Sequence, residues 1–485
     1  SYMKKVLRLF LWLVAVLLII LIVKALFFKS LQANFGEVTT VGFGTESLLN
    51  LSEAVKYPTV SYAPGLPVDT SAFQGYIGFI RRKYPLVDSL LHLEVFNKFS
   101  LLYRWDGRNA SLLPVILMAH YDVVPPGDTA GWEKGPFSGL NDSTFIWGRG
   151  TLDDKAAMIS ILEAVERLLS EGFVPERTIY LSFGHDEEIS GEKGARAIAA
   201  YLEEKGVKAE YVLDEGMAVT VGMVPMIKEP VALVGTSEKG YLSVRLTAEM
   251  SGGHSSTPEK ESALTVIAKA VGALAAKQMK PRLAGPVNDF IRYIGPEMPV
   301  FARVIFANKW LFKPLLLSIY SGSASGNALV RTTTAPTIIQ AGIKDNVIPT
   351  RAEAVVNFRI LPGESSADVL EHIRKVIDDS RVIIEPLKDF INEPAPFSPT
   401  DAAGFQVIFK TLRQVYPEAY VAPTLTLSAT DSRHFSVITD NIYRFAPIRV
   451  TAEDMARVHG LNERTKIEDY LRGISFYYML IKNSQ

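Results

Sequence analysis

Three short stretches hold side chains that could do chemistry: His120-Tyr121-Asp122, the run Trp147-Gly148-Arg149-Gly150-Thr151-Leu152-Asp153-Asp154-Lys155, and His185-Asp186-Glu187-Glu188. Each places metal-ligand types at or just after an apolar run, where a buried strand would end, and open α/β sheets build their sites at that carboxyl edge. Two apart on a strand, His120 and Asp122 share a face, so the carboxylate can accept one imidazole N–H while the other ring nitrogen binds a metal. In the adjacent pair Glu187-Glu188, one carboxylate can ligate while its neighbour takes a proton from metal-bound water. Plainer roles exist for each: a hydrogen-bonded strand-end His120, helix-capping Asp153-Asp154, a solvated acidic loop at Glu187-Glu188. His459, in Val458-His459-Gly460-Leu461-Asn462-Glu463, completes an order of His, Asp, Glu-Glu, Asp, His that argues against all of the plain roles holding at once.

The elements that must position these groups alternate from about residue 110. Leu113 to Ala119 reads as an apolar strand ending at His120, and Ala156 to Gly172 as a helix with Met158, Ile161, Leu162, Val165, Leu168 and Leu169 on one face. Thr178 to Gly184 is strand-like, Gly194 to Lys205 helical, and Glu210 to Leu213 a strand delivering Asp214. Short apolar strands separated by amphipathic helices predict a mainly parallel sheet flanked by helices. Near residue 238 the pattern changes. Gly240 to Met250 alternates, a helix from Ala263 to Lys277 follows, then strands at Thr332 to Ile343 and Ala352 to Ile360, a helix from Ala367 to Asp379 and a strand at Val382 to Ile384. That order predicts an inserted ferredoxin-like α+β lid domain over 238–392, dividing a catalytic domain into 41–237 and 393–485. Pro394, Pro396 and Pro399 mark the return, and residues 284–326 form a long extra segment inside the insertion.

A length of 485 residues exceeds what one core usually covers, consistent with two domains. With 51 basic and 52 acidic residues and a net charge of -1, no polyanion-binding face is expected, so nucleic acid is excluded as a partner class. The chain has no cysteine, so a metal must be held by His and carboxylates. Residues 4–29 are read as a transmembrane signal anchor. Lys4, Lys5 and Arg8 precede a charge-free run from Leu9 to Val23, and Val6 to Phe28 at about 1.5 Å per residue crosses a ~30 Å hydrocarbon core if Arg8 and Lys24 snorkel. The basic tip stays in the cytoplasm and the catalytic body outside it. A cleaved signal peptide, releasing a secreted protein, is the rival reading.

On the stretches Gly150-Thr151-Leu152-Asp153-Asp154-Lys155, Gly184-His185-Asp186-Glu187-Glu188, Asn308-Lys309-Trp310-Leu311-Phe312 and Asn327-Ala328-Leu329-Val330-Arg331-Thr332-Thr333-Thr334, the sequence resembles the di-zinc amidohydrolase family of aminoacylase, carboxypeptidase S and succinyl-diaminopimelate desuccinylase. It is most like the branch of carboxypeptidase S and the N-fatty-acyl-amino-acid synthase/hydrolases. The resemblance runs from about residue 44 to the C-terminus. It implies two zinc ions bridged by Asp153, with Glu188 and His459 completing one site and His120 and Asp214 the other. Asp214 is preferred to its neighbour Glu215. It further implies Glu187 as general base, Asp122 as the partner orienting His120, His254 in Ser251-Gly252-Gly253-His254 as an oxyanion contact often supplied by a second subunit, and Arg359 as the grip on a substrate carboxylate. Asn327 and Arg433 are further substrate-binding candidates; a turn asparagine and a surface arginine are their plainer alternatives.

The expected activity is hydrolysis of amide bonds in N-acyl amino acids, with synthesis as its reverse. The alternatives are a carboxypeptidase or dipeptidase on short peptides, and a non-catalytic binder of amino-acid conjugates. Partners are a small substrate and, through the N-terminal helix, a membrane; the oligomeric state is left open. Phe290, Ile291, Phe301, Ile305, Phe306, Trp310, Leu311 and Phe312 are either an acyl-chain channel or the packing of the insertion itself.

Overall fold

The computed structural model describes residues 2–36 and 42–485; residue 41, the expected start of the catalytic body, lies outside them. Every strand expected near the first half of the site forms: Val115–His120, Ile179–Gly184 and Tyr211–Asp214, with the helices Lys155–Ser170 and Ala195–Glu204 between them. The three strands run parallel, with His120 level with Gly184 and Leu117 level with Leu213. Ile442–Arg444 adds a fourth parallel neighbour beside Tyr211–Asp214. These belong to a ten-stranded mixed sheet. Its near-continuous apolar sequence follows from burial on both faces. Leu117, Leu181 and Leu213 point into a core shared with Ile159, Leu162, Phe405 and Ile474, while Ile116, Met118 and Val212 meet Ile198, Leu202 and Phe435 on the other side.

The inserted segment forms a separate four-stranded sheet. In chain order its strands are Gly240–Glu249, Thr333–Ala341, Arg351–Ile360 and Val382–Asn392, arranged second, third, first, fourth and antiparallel throughout. The helices Ala263–Ala276 and Ser366–Ile377 supply Val266, Ile267, Val369 and Ile373 to a core with Leu242, Val244, Val356 and Phe358, distinct from that of the large sheet. The last strand runs well past the expected Ile384, because its partner Gly240–Glu249 continues to offer backbone groups as far as Tyr241 opposite Asn392.

Residues of the long extra segment fold into the helices Gly285–Ile294, Val300–Ala307, Lys309–Ser321 and Ala324–Val330. Ile291, Ile305 and Phe306 pack with Val287 and Leu316, and Phe290 leans on the main core. Phe301 and Trp310 instead point outward. Packing thus accounts for Phe290, Ile291, Ile305 and Phe306. The N-terminal helix Tyr2–Leu26 is 25 residues of almost unbroken apolar sequence, buried only at Leu21 and Ala25. It is the one helix among the described residues long and apolar enough to cross a membrane.

Candidate active site

His120 ends its strand inside a cleft where the next turns of neighbouring strands deliver carboxylates. Its Nδ1 lies 3.0 Å from the Asp122 carbonyl oxygen and 3.3 Å from Asp122 Oδ1. Asp122 also accepts from the backbone N–H groups of Glu187 at 3.1 Å and Glu188 at 3.2 Å, so one carboxylate both orients the imidazole and holds the paired glutamates. On the other side of the ring, His120 Nε2 is 2.9 Å from Asp153 Oδ1. Asp153 Oδ2 is 3.0 Å from His459 Nε2, which is itself 3.3 Å from Glu188 Oε2. Each Asp153 oxygen therefore faces a different histidine. The histidines come from opposite ends of the chain.

One position differs from the expected one. Asp214 was expected against His120, but its Oδ2 accepts the Ser432 backbone N–H at 2.8 Å, and Glu215 Oε1 lies 3.4 Å from His120 Nε2. The reason is alternation: at the end of a strand successive side chains leave opposite faces, and the residue after Asp214 is the one turned to the cleft. His254 lies apart from the cluster. It is exposed in a two-residue ladder with Val347, its Nδ1 2.7 Å from Ser256 Oγ. Asp154 precedes the helix Lys155–Ser170 but makes no side-chain cap; its Oδ2 instead accepts from the His120 backbone N–H at 3.4 Å.

Burial of so many acids in one place raises their proton affinity. Burial, then the charges of Glu215 and Asp153, lifts Asp154 well above the carboxylate range. Glu215 is pushed up to about 8, by burial and then by Asp153. Burial, reinforced by Glu215, Asp431 and Glu188, also raises Glu187 well above its usual range. His459 rises to about 10 through its bonds to Asp153 and Glu188. Asp154 Oδ1 and Glu188 Oε1 are buried and have no hydrogen-bond partner. Such orphaned oxygens are costly unless a cation or water meets them. Ligand atoms of His120, Asp153 and Glu188, and of His120, Asp154 and Glu215, gather within 4.8 Å of one another. An all-nitrogen-and-oxygen donor set of this kind suits zinc.

Four residues after His459, Glu463 holds the site together from behind. Its Oε1 accepts from the backbone N–H groups of Gly150 at 3.0 Å, Leu152 at 2.7 Å and Asp153 at 3.2 Å, and its Oε2 from Arg149 at 2.7 Å. Both residues are fully buried. The pair fastens the loop carrying Asp153 to the loop carrying His459, a tie no local pattern reveals because its ends are 313 positions apart.

The substrate-binding candidates fall in different places. Arg359 is half-buried on Arg351–Ile360, its guanidinium 4.5 Å from the centre of the Tyr241 ring. Near it Lys239, buried, donates to the carbonyls of Ala328 at 2.9 Å and Arg331 at 2.7 Å. Burial and then the Arg359 charge bring its pKa down to about 7. Asn327 Oδ1 accepts from Arg331 at 2.8 Å, so it braces this same corner. Arg433 donates to the carbonyl oxygens of Thr430 at 2.8 Å and Ser190 at 2.7 Å, and so holds two loops together.

A His-and-carboxylate cluster at the carboxyl edge of a helix-covered mixed sheet is the arrangement of a metal-dependent hydrolase. The chain belongs to the peptidase family M20/M25/M40, whose pattern matches residues 116–483, a metal-dependent family. It is 41% identical over 439 residues to "Probable carboxypeptidase S-like 2" of Dictyostelium discoideum, covering 90% of this chain and 84% of the relative. It is 43% identical over 439 residues to "N-fatty-acyl-amino acid synthase/hydrolase PM20D1" of Xenopus tropicalis, covering 90% and 85%. Among solved structures, the M20 family metallo-carboxypeptidase Sso-CP2 of Sulfolobus solfataricus shares the fold, with a TM-score of 0.64 at 19% identity, over 90% of this chain and 99% of that one.

Proposed function

We propose that this chain is a membrane-anchored di-zinc hydrolase of amide bonds in N-acyl amino acids, with long-chain acyl groups among its substrates. The observation that carries the reading is Asp153 presenting its two oxygens to His120 and His459, beside the orphaned Glu188 Oε1. His120, Asp153, Glu188, Glu215 and His459 would hold the two ions, with Glu215 taking the place first given to Asp214. When bound, zinc lowers the pKa of water and polarises a carbonyl. Glu187 accepts the proton of the attacking water and returns it to the leaving amine nitrogen, a transfer contributing ~100- to 10,000-fold. Asp122 keeps His120 and both glutamates in register, and Arg359 pairs with the free carboxylate through its planar fork.

The small antiparallel unit of residues 238–392 is read as a ferredoxin-like lid, and His254, exposed on it, reaches the substrate when the lid closes or when a second copy presents it. The apolar helix Tyr2–Leu26 anchors the body outside the cytoplasm. The substrate class is supported by the Xenopus tropicalis relative, and the 41% identity to the Dictyostelium discoideum carboxypeptidase S-like protein supports a second reading, trimming of short peptides. Zinc-loaded enzyme assayed on N-acyl amino acids and on dipeptides separates the two. N-acyl amino acids should have the higher kcat/KM, rising with acyl length below the micelle concentration. Dipeptides winning with a flat acyl series would hand the assignment to the peptidase reading, and zinc binding with no turnover on either set would leave a binder.

A further inference from the structure

The helices Val300–Ala307 and Lys309–Ser321 break the rule that a soluble surface carries its apolar side chains singly. Val300 is 74% exposed, Phe301 64% and Trp310 56%. Leu311, Leu315 and Ile319, four apart and therefore on one face of their helix, are all exposed, while Leu316, turned about 100° from Leu315, is buried with Val287 and Ile291. Between Glu297 and Asp345 the sequence has no carboxylate, whereas Arg303, Lys309 and Lys313 fall within these helices. An exposed apolar face with no acidic side chain on it suits a helix lying in a membrane interface.

What covers this face is indicated by the neighbouring span. Asn308, fully buried at the junction of the two helices, donates from Nδ2 to the Leu21 carbonyl oxygen at 2.9 Å. The N-terminal helix continues from Leu21 to Leu26, a rise of about 7 Å at 1.5 Å per residue, so the junction meets the span before the span ends. Lys24 lies 5.5 Å from the centre of the Trp310 ring, a lysine–tryptophan pairing suited to headgroup depth. The stalk beyond is held down as well: Gln32 exchanges two hydrogen bonds of 2.9 Å with the backbone of Val421, on a strand of the large sheet. A body tied this closely to the end of a span brings the apolar face to the lipid.

Resting on the reading of Tyr2–Leu26 as an anchor, we propose that the exposed face of Val300–Ala307 and Lys309–Ser321 is seated in the bilayer beside the span, a second contact lying in the membrane plane. The lipid surface is thereby brought against the insertion, which is where a long acyl chain would leave it.

The test uses the full chain reconstituted in vesicles of phosphatidylcholine and phosphatidylglycerol, with or without brominated acyl chains. Trp105, Trp132 and Trp147 are buried in the body, so Trp12 and Trp310 are the reporters. In Trp12→Phe, the emission lost on further changing Trp310→Phe belongs to Trp310; in Trp310→Phe, Trp12 reports the span. Hydrolytic activity of both variants verifies the fold. Quenching of both reporters by bromolipid, with Trp310 protected from aqueous acrylamide, is the expected result. Trp12 quenched with Trp310 open to acrylamide overturns the seating and leaves the anchor intact. Trp310 shielded from bromolipid and acrylamide alike overturns it in favour of a second copy on that face. Failure of the protein to float with vesicles, with neither reporter quenched, removes the anchor and the seating together.

Discussion

The cleft and the insertion helices depart from the same rule in opposite directions. At the cleft, Asp154 and Glu188 each bury a carboxylate oxygen with no hydrogen-bond partner; on the insertion, Phe301, Trp310 and Ile319 are exposed where a surface would ordinarily be polar. Burying an acid costs free energy unless something meets it, and exposing an apolar face costs free energy unless something covers it. The contrast teaches that each region calls for something outside the chain: cations for the first and, on the seating proposed above, lipid for the second. It also says which substitutions should be felt where.

The largest effect belongs to the cleft. Glu187→Gln should lower kcat by ~100- to 10,000-fold while zinc content, measured by elemental analysis, stays near two per chain. Glu188→Gln should do the reverse first and lose metal. Zinc lost from Glu187→Gln and kept by Glu188→Gln would exchange the two roles.

Next is the carboxylate grip. A charged hydrogen bond contributes about 1.5–3 kcal/mol, so Arg359→Ala should reduce kcat/KM for N-acyl amino acids by roughly 10- to 100-fold and erase their advantage over the corresponding amides. An unchanged acid-to-amide ratio would take Arg359 out of the site.

The tie behind the metal ligands should follow. Glu463→Gln keeps the shape but withdraws the charge from Arg149 and the three backbone N–H groups, and metal affinity by competition with a chelator should weaken about 10- to 100-fold. The neighbouring acids sharpen the comparison: Glu215→Gln should weaken metal binding, whereas Asp214→Asn, which faces Ser432, should lower the melting temperature more than the affinity. Equal metal loss from both would restore Asp214 as a ligand.

The smallest effect lies at the other region. Asn308→Ala removes one buried side-chain bond to Leu21, about 1 kcal/mol, and should leave kcat on a short acyl substrate unchanged while loosening the span from the insertion. Accelerated proteolysis between residues 26 and 45 of vesicle-bound protein would register it; unchanged cleavage would mean that Gln32 and Lys24 suffice.

Where an apolar strand runs into polar residues, the position was legible in advance, as at His120 and at the turn carrying Glu187. The same alternation that makes strands legible misplaced Asp214, since a one-residue error at a strand end exchanges the two faces. Glu463 and Arg149 were invisible for another reason: their partners are backbone groups brought near only by the finished fold. Arg433 and Asn327 brace loops in this structure, a use the sequence could not separate from substrate binding because both call for the same residue types. For the insertion, the apolar residues were plain but their direction was not. Phe306 and Phe301 look alike in sequence, and only the neighbouring helices decide which is covered.

His459 and the segments after it carry a consequence for the order of biosynthesis. The strand Arg464–Lys466 pairs with Phe145–Trp147, and the helix Ile467–Asn483 contributes Ile474 and Phe476 to the main core beside Ile159 and Leu162. A nascent chain halted before residue 459 has the acids of the cleft but neither its second histidine nor the Glu463 tie that orders the Asp153 loop. On the roles proposed for His459 and Glu463, such a chain has no complete metal site. On those proposed roles, catalytic competence waits for residues 459–483 to join the core, after the insertion has been synthesised.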